Sequence, residues 1–384
     1  MPPFTTNPSR IRSRKMDLTA ALQEALDDAD VMLRRGTSRA ETQGASPSCL
    51  AFGTVVRAAP VEAGGELVVL DWDQKEVAAA VPMMPREPSV EDDPNPRGNT
   101  RGCRGIRWHE GELLAASYHT LERYDASLHR TGALSDGLMV GLHEIETTED
   151  GTVWVTSTAI DAAVEYDLAT GERRRALWPR EHPRLQDTLG LKPLALDKSA
   201  DNRLRFLGPT ASNDDSHLHL NAVAVHDDRV FGLCNAHAAI VDLTNGEVVV
   251  QDEALQGGHN LLITPGGTAL TNDTYGRAVC VFDLARGHRV RRIDLTRYEW
   301  VRALIRPHVP SYWRGEAARK VGWKEDSIAR PLFARGLVRY GKSLFVGVSP
   351  ASILQIDWTT GALVDAYCYS TDVRVCVHGL ETMD

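Results

Sequence analysis

The chain has 384 residues, 42% of them hydrophobic and 25% charged, which is the composition of an ordinary globular protein. Its net charge is -9, and an acidic protein lacks the basic field with which nucleic-acid and anionic-membrane binders displace counterions. We therefore expect a small-molecule partner, with no nucleic acid and no membrane among the partners. The composition leaves the oligomeric state open.

No targeting or membrane-spanning segment is recognisable in the sequence. The start "MPPFTTNPSRIRSRKMDL" is basic but lacks the apolar stretch of a secretory signal, and no run of about eighteen apolar residues occurs. We therefore expect a cytoplasmic protein. The six cysteines stand apart without a Cys-x-x-Cys pair, and in a reducing compartment this pattern favours buried thiols over disulfides.

Residues 1–45 form a segment of their own. In "MDLTAALQEALDDADVMLRRG" the apolar residues recur at helical spacing, and Gly36 follows as a stop signal. We expect an N-terminal extension with a single helix that lies on the following domain. A mobile arm is the alternative.

Residues 46–384 contain a unit that repeats six times. Each unit alternates apolar and polar residues between turn signals such as Asn245-Gly246 and Thr360-Gly361, which is typical of four antiparallel strands. Six units predict an all-β fold, a six-bladed β-propeller. The final "VHGLETM" resembles an innermost strand without its own blade, and we expect it to pair with "CLAFGTVV" and close the ring. The units are "ELVVLDWDQKEVAAAV", "IRWHEGELLAASYHTLERYDASLHRTG", "IETTEDGTVWVTSTAIDAAVEYDLATGE", "VAVHDDRVFGLCNAHAAIVDLTNGEVVV", "LLITPGGTALTNDTYGRAVCVFDLARGHRV" and "LVRYGKSLFVGVSPASILQIDWTTGALVDAY".

One position of the repeat, two residues before the first apolar residue of each innermost strand, carries three histidines. The strings "LHEI", "GHNL" and "VHGL" surround them, and they lie 116 and 119 residues apart, two units each time. Alternate blades of a sixfold ring are about 120° apart, so three imidazoles should converge at one mouth of the central channel. The six ring positions are Arg104, His143, Asn221, His259, Arg335 and His378.

Three converging neutral imidazoles predict a metal site with an open coordination position. Zinc is the first choice, because catalytic zinc sites commonly use three protein ligands; iron(II) or copper would also accept three imidazoles. Calcium is disfavoured because it prefers oxygen ligands. The alternative is that each histidine only forms hydrogen bonds across a water-filled channel.

The string "LHEIETTEDGTVWVTSTAIDAAVEYDL" resembles a blade of the NHL-type six-bladed propellers, and especially the lyase family that cleaves peptidyl-α-hydroxyglycine to release a peptide amide. That family holds zinc with three histidines on alternating blades, and His143, His259 and His378 match this pattern. It also uses an arginine in the blade before the first histidine, a role that the resemblance gives to Arg104.

The sequence departs from that family at two catalytic positions. The family's tyrosine falls near Asn235 and its second arginine near Thr274, with Tyr275 or Arg277 as neighbouring substitutes. Sugar-lactone hydrolases of similar architecture bind calcium through carboxylates and asparagine. The resemblance to these hydrolases is weaker, because among the six ring positions Asn221 is the only residue of the kinds that bind their calcium.

Further candidate site residues lie in the loops between second and third strands. In a propeller these loops are on the same face as the loops that enter the innermost strands, so their side chains should face the predicted metal. A histidine, tyrosine or aspartate there could serve as general acid or base, with a surface role as the alternative. His217 and His219 lie just before Asn221, and strand alternation would turn both side chains to the same side as that of Asn221. One of them could be a fourth ligand or an acid/base group; the alternative is that they belong to a polar loop. The loop candidates are Tyr118, His119, Asn235, His237, Asp273 and Tyr275.

Arg104 and Arg335 flank the predicted metal. Their guanidinium groups are suited to clamping a carboxylate or stabilising an oxyanion, although neutralising buried aspartates is the alternative. Three long connections, 84–103, 178–216 and 297–334, enter the blades between the histidines and predict lids or binding loops. The last of them is rich in Trp, Tyr and Arg and would also suit an oligomer contact.

These observations predict a metal-dependent lyase or hydrolase that acts on a small organic substrate at the mouth of the axial channel. One alternative is a non-catalytic propeller that binds a protein or peptide. A further alternative is a metal-dependent oxygenase, which would require iron.

Overall fold

The structure, a computed structural model, describes residues 46–57, 64–84, 102–206, 214–321 and 329–383. These residues form six four-stranded antiparallel sheets arranged as a six-bladed β-propeller. In chain order the strands are β1 (Cys49–Val56), β2 (Glu66–Asp71), β3 (Glu76–Pro82), β4 (Ile106–His109), β5 (Glu112–Ala116), β6 (Leu121–Tyr124), β7 (Arg130–Leu134), β8 (Leu142–Thr147), β9 (Thr152–Ser157), β10 (Ala162–Asp167), β11 (Arg173–Leu177), β12 (Leu220–His226), β13 (Arg229–Cys234), β14 (Ala239–Asp242), β15 (Glu247–Gln251), β16 (His259–Ile263), β17 (Thr268–Asp273), β18 (Ala278–Asp283), β19 (His288–Asp294), β20 (Gly336–Tyr340), β21 (Ser343–Val348), β22 (Ser352–Asp357), β23 (Leu363–Cys368) and β24 (Val375–Thr382).

The ring is closed by strands from the two ends of the described chain. Blade 1 has the strand order β24-β1-β2-β3, and blades 2 to 6 follow as β4–β7, β8–β11, β12–β15, β16–β19 and β20–β23. β24 pairs with β1 from Leu50 opposite Thr382 to Val56 opposite Val375. The predicted closing strand is therefore confirmed, and the pairing removes the open edge that the first blade would otherwise expose.

The apolar core lies between blades rather than within one layer. Each of six buried clusters joins side chains of two neighbouring blades, so both faces of the inner strands are covered. On β13, for example, Val230 and Cys234 pack toward blade 3, while Phe231 and Leu233 pack toward blade 5. This double burial explains why the inner strands are so rich in Val, Leu, Ile and Ala.

Two of the long connections contain helices. They are α1 (Pro183–Leu189) in the connection 178–216 and α2 (Glu299–Ile305) and α3 (Val309–Lys320) in the connection 297–334. Trp300, Val301 and Leu304 of α2 belong to the cluster between blades 5 and 6, which fixes this connection on the propeller. Short 3-10 helices cover Thr158–Ile160, Pro179–Glu181, Asn235–His237, Glu253–Leu255 and Leu295–Arg297.

The predicted helix within residues 1–45 and most of the connection 84–103 lie outside the described residues. All six cysteines are free thiols, in agreement with the sequence prediction. Among the described helices, none has the length and apolar content required to span a bilayer.

Candidate metal centre

The innermost strands of four blades contain an extra residue at the ring position. In β8 the two residues His143 and Glu144 lie opposite the single residue Thr156, because the register shifts between Leu142 and Ile145. Comparable shifts place extra residues at Asn221 in β12, after His259 in β16 and at His378 in β24. Such bulges bend a strand and redirect its side chains, which here turns the ring residues toward the axis.

The three ring histidines meet at the mouth of the channel where the innermost strands begin, called the upper face below. Their ring centroids are 4.6 Å apart for His143 and His378, 5.1 Å for His143 and His259, and 5.8 Å for His259 and His378. One nitrogen of each lies within 4.8 Å of the others, and all three residues are buried. A tetrahedral zinc ion holds its ligand atoms about 3.4 Å apart, so small ring rotations are needed to close on an ion.

The histidines are in the protonation state that metal ligands require. Burial lowers the pKa of each imidazole well below its usual value, and the neighbouring histidines, Arg104 and Arg335 lower it further. Neither ring nitrogen of His378, nor Nδ1 of His143, has a hydrogen-bond partner among the described residues. Because buried polar atoms without partners are rare, these nitrogens fit a bound cation better than a hydrogen-bonding role.

His259 is oriented by a hydrogen-bond chain to the next blade. Its Nδ1 atom lies 3.0 Å from the carbonyl oxygen of Gly257 and 2.9 Å from Oγ1 of Thr274. The Thr274 hydroxyl donates to the carbonyl of Ala334 at 2.8 Å, so it accepts from His259. Nδ1 must therefore carry the proton, and the lone pair of Nε2 is available to a metal.

Glu144 lies directly below the histidines. Its Oε1 atom is 4.0 Å from Nδ1 of both His143 and His378, and it accepts a hydrogen bond of 3.0 Å from Nδ2 of Asn260. Burial raises the pKa of this carboxyl group to about 8. Glu144 is not recognisable from the sequence, because a regular strand would turn the residue after His143 away from the axis.

The axis below the three histidines is narrow and contains ion pairs. Innermost strands of all six blades line a small cavity beside Glu144 and Asn260. Three residues further along the strands, Arg107 contacts Glu146 at 2.7 Å and Glu381 at 3.1 Å. A ligand of the histidines therefore has its access from the upper face.

The two ring arginines lie close enough to influence all three histidines electrostatically. Arg104 donates from Nη1 to the carbonyl of Leu142 at 3.0 Å, which joins blades 2 and 3 at the axis. The guanidinium of Arg335 lies 4.3 Å from the ring centre of Phe333. Both predicted flanking positions are thus occupied by positive charge.

His217 and His219 form a chain with a buried carboxylate that the sequence analysis did not identify. Nδ1 of His217 lies 2.9 Å from Oδ2 of Asp161, and Nε2 of His217 lies 3.3 Å from Nδ1 of His219. His217 and His219 do not follow the predicted strand alternation, because β12 begins only at Leu220 and His219 has a left-handed φ of 52°. The turn, rather than a strand, brings the two rings into contact.

Asn221 and Asn235 hold the loop that leads into His259. Nδ2 of Asn221 donates to the carbonyl of Gly258 at 2.8 Å, and Oδ1 of Asn235 accepts from the backbone of Gly257 at 3.1 Å. Both amides therefore hold the backbone immediately before His259.

Of the remaining loop candidates, His237 and Tyr275 each lie close to charged side chains. His237 is near Asp161 and His217. Burial lowers the pKa of its imidazole; the charge of Asp161 raises this pKa and that of His217 lowers it, both by smaller amounts. Tyr275 is 58% exposed and its ring lies 5.3 Å from the guanidinium carbon of Arg330.

Tyr118 donates from its hydroxyl to the carbonyl of Phe206, in the connection 178–216, at 3.3 Å. The last two candidates, Asp273 and His119, contact their own blades. The Asp273 carboxylate accepts from the backbone of Gly276 and faces Arg292 of β19 at 3.9 Å, toward the outer edge of blade 5. His119 places Nδ1 2.9 Å from Oγ1 of Thr120 in blade 2. The structure does not bring Asp273 to the three histidines.

Comparison with known proteins supports the fold and no narrower grouping. The sequence matches no protein-family model and no curated protein. The crystal structure of a protein of unknown function from Bacteroides caccae aligns with 88% of this chain and 98% of its own, at 10% identity and a TM-score of 0.51. A chain of the nidogen/laminin complex covers 86% of this chain and 97% of its own, at 10% identity and a TM-score of 0.47.

The WD40 domain of Pan2 from Neurospora crassa covers 84% of this chain and 76% of its own, also at 10% identity, with a TM-score of 0.41. The first similarity concerns the fold alone, and from the two with TM-scores below 0.5 we draw nothing. What is established is a six-bladed β-propeller with three buried histidines clustered at one mouth of its axis.

Proposed function

We propose that this propeller is a metal-dependent lyase or hydrolase that acts on a small organic molecule at its upper face. The observation that carries the proposal is the convergence of three buried, neutral imidazoles from blades 1, 3 and 5. Three nitrogen ligands leave one coordination position open, the arrangement of catalytic rather than structural zinc sites. Zinc is our first choice, with iron(II) or copper as alternatives.

When bound, a divalent metal supplies Lewis acidity at the channel mouth. The chain contributes the surroundings of that position. Glu144 and Asn260 close it from below, Thr274 holds the tautomer of His259, and Arg104 and Arg335 provide positive charge to orient an anionic group. Substrate enters from above, through the mouth where the innermost strands begin.

The chain from His219 to Asp161 supports a proton acceptor beside the metal position. Burial and the neighbouring His217 lower the pKa of His219 to about 4, so its ring is neutral at pH 7 but a weaker base than an ordinary histidine. His217 lies between His219 and the buried Asp161, which would orient both rings and stabilise the charge that proton uptake creates.

The resemblance to the amidating lyase family supports the metal and the reaction class but not the amidating reaction itself. At the two positions where that family has a catalytic tyrosine and a second arginine, Asn235 and Thr274 are engaged in hydrogen bonds that position His259. In this proposal His219 takes the role of the proton acceptor, and a substrate other than peptidyl-α-hydroxyglycine is expected.

Metal analysis tests the proposal. Purified protein should contain about one zinc, iron or copper ion per chain, and the His259→Ala variant should lose it while its circular dichroism spectrum stays unchanged. His288→Ala, an exposed histidine on β19, is the matched control. The metal-loaded protein should then hydrolyse or cleave members of a panel of small esters, lactones and α-hydroxy amides, and His219→Gln should be inactive.

Two results would overturn the proposal. If the wild-type protein binds no stoichiometric metal, the basis of the proposal is lost. A propeller that binds a protein or peptide would then be the better interpretation of the fold. Oxygen consumption by the iron form, with no cleavage by the zinc form, would assign the site to an oxygenase instead.

A further inference from the structure

Two of the residues that follow the ring histidines in the sequence meet on the axis. Glu144 follows His143 in β8 and Asn260 follows His259 in β16, and both lie where a bulge interrupts the strand. Nδ2 of Asn260 donates to Oε1 of Glu144 at 3.0 Å, which joins blades 5 and 3 across the channel. Both side chains are buried, so the pair forms a floor beneath the three imidazoles.

The hydrogen bonds of Asn260 establish that this oxygen of Glu144 is an acceptor. Asn272, opposite His259 on β17, donates from Nδ2 to the carbonyl of Gly336 at 3.0 Å and to Oδ1 of Asn260 at 2.9 Å. Because a backbone carbonyl can only accept, the amide of Asn272 has one orientation, and it orients the amide of Asn260 in turn. The Nδ2 group of Asn260 therefore faces Glu144 and donates to it.

The same oxygen of Glu144 faces two of the histidines. It lies 4.0 Å from Nδ1 of His143 and 4.0 Å from Nδ1 of His378, and neither nitrogen has a hydrogen-bond partner among the described residues. An imidazole binds an ion through one nitrogen, and the N–H group of the other then needs an acceptor. A shift of about 1 Å brings each Nδ1 within hydrogen-bond distance of the carboxylate oxygen, which is the scale of the ring rotations that close the site.

We propose that Glu144 is a positioning residue that accepts the Nδ1 proton of both His143 and His378, and so directs Nε2 of each ring to the metal. Thr274 holds the corresponding proton of His259, so all three histidines present the same nitrogen. Nε2 of His378 is buried and has no partner among the described residues, as an atom reserved for an ion would be. The inference rests on the proposed metal site and specifies its ligand atoms; one carboxylate serves two ligands from blades 3 and 1.

NMR of the full chain with ¹⁵N-labelled histidine tests the proton positions, because couplings to the ring protons distinguish the two nitrogens of an imidazole. The variants His143→Gln and His378→Gln assign the signals. In wild-type protein, both metal-free and zinc-loaded, we expect the proton of each ring on Nδ1. In metal-free Glu144→Met the side chain keeps its length but loses the acceptor, so the proton of at least one ring should move to Nε2.

Zinc affinity, measured by competition with a chelator, provides a second readout. Glu144→Met should weaken zinc binding by about 10- to 100-fold, the usual effect of losing an outer partner, and Glu144→Gln, which keeps an acceptor oxygen, should lose less. Glu381→Met is the matched control: Glu381 lies on the same strand as His378, but its carboxylate contacts Arg107, so affinity should stay within about threefold of wild type. The absorption spectrum of cobalt-substituted Glu144→Gln should match that of wild type, because Glu144 is not itself a ligand.

The inference is overturned if either His143 or His378 carries its proton on Nε2 in wild-type protein, a measurement that needs no variant of Glu144 to fold. It is also overturned if Glu144→Met leaves the tautomers or the zinc affinity unchanged, or if the cobalt spectrum of Glu144→Gln changes, which would make Glu144 a ligand. Failure of the wild-type protein to bind metal would contradict the proposed function instead, and the tautomers of the metal-free protein would still decide the role of Glu144.

Discussion

Oγ1 of Thr274 and Nδ1 of His259 lie 2.9 Å apart, and this contact decides which nitrogen of His259 faces the other two histidines. Because the Thr274 hydroxyl donates a hydrogen bond to the carbonyl of Ala334, which precedes β20, the contact also couples His259 to the packing of blades 5 and 6. Such outer partners of a ligating histidine fix its tautomer and raise its basicity.

Thr274→Val should therefore weaken metal binding without unfolding the protein. Valine keeps the shape of the side chain but cannot accept from His259, and loss of an outer partner lowers metal affinity by about 10- to 100-fold. Competition with a chromogenic zinc chelator measures the change. Thr274→Ser keeps the hydroxyl and should stay within about threefold of wild type; equal affinities for the valine and serine variants would contradict the assignment.

Gly379 allows β24 to approach blade 2 at the axis. A Cβ atom on Gly379 would lie 1.9 Å from the carbonyl oxygen of Arg104, and a backbone atom cannot rotate away. Gly379→Ala should lower the free energy of unfolding by about 1–3 kcal/mol or more, as measured by denaturant titration. Gly266→Ala, where the nearest heavy atom is 4.0 Å away, should change it by less than about 0.5 kcal/mol. An undiminished stability of Gly379→Ala would show that the strands do not approach so closely.

Arg180 stabilises the connection 178–216 against the propeller. Its side chain is 3% exposed and lies 3.6 Å from the fully buried Asp161 and 2.8 Å from Asp214. Arg180→Met leaves the Asp161 carboxylate buried without this cation, so stability should fall by about 3–5 kcal/mol.

Arg174→Met is the matched control for Arg180. Arg174 is 42% exposed in its ion pairs with Asp150 and Asp167, and such surface pairs contribute about 1 kcal/mol or less. The double variant Arg180→Met with Asp161→Asn should recover part of the loss. Equal effects of the two arginine variants on thermal unfolding would refute the role of the buried pair.

A variant of His219 tests whether this residue is an acid/base group or a fourth metal ligand. Among the described residues the cluster of possible metal-binding atoms comprises three histidines and does not include His219. His219→Ala should therefore leave zinc affinity within about threefold of wild type while abolishing turnover, whereas loss of a ligand would reduce affinity far more. A hundredfold fall in zinc affinity would assign His219 to the metal.

The sequence was sufficient for the fold and for the clustering of the three histidines, because both repeat. Strand alternation and turn residues recur in all six units, and His143, His259 and His378 occupy the same place in alternate units. A residue's position within its unit then gives its position around the ring. The pairing of β24 with β1 followed from the same register.

The surroundings of the histidines could not be predicted in this way, because they depend on departures from the repeat. A bulge places Glu144 on the axis beside His143, although regular alternation would separate them. Thr274 reaches His259 through the end of a neighbouring strand, and Arg57 reaches Phe333 only after the ring has closed. None of these arrangements, neither the side to which Glu144 points nor the two contacts between distant residues, is encoded by a local sequence pattern.

The most direct test of the metal centre is a crystal structure of the zinc-loaded protein with anomalous data collected on both sides of the zinc edge. The account predicts one strong anomalous peak at the upper mouth, about 2.0–2.1 Å from a nitrogen of each of His143, His259 and His378. A structure in which the three rings point apart, or in which the zinc peak lies elsewhere, would contradict it.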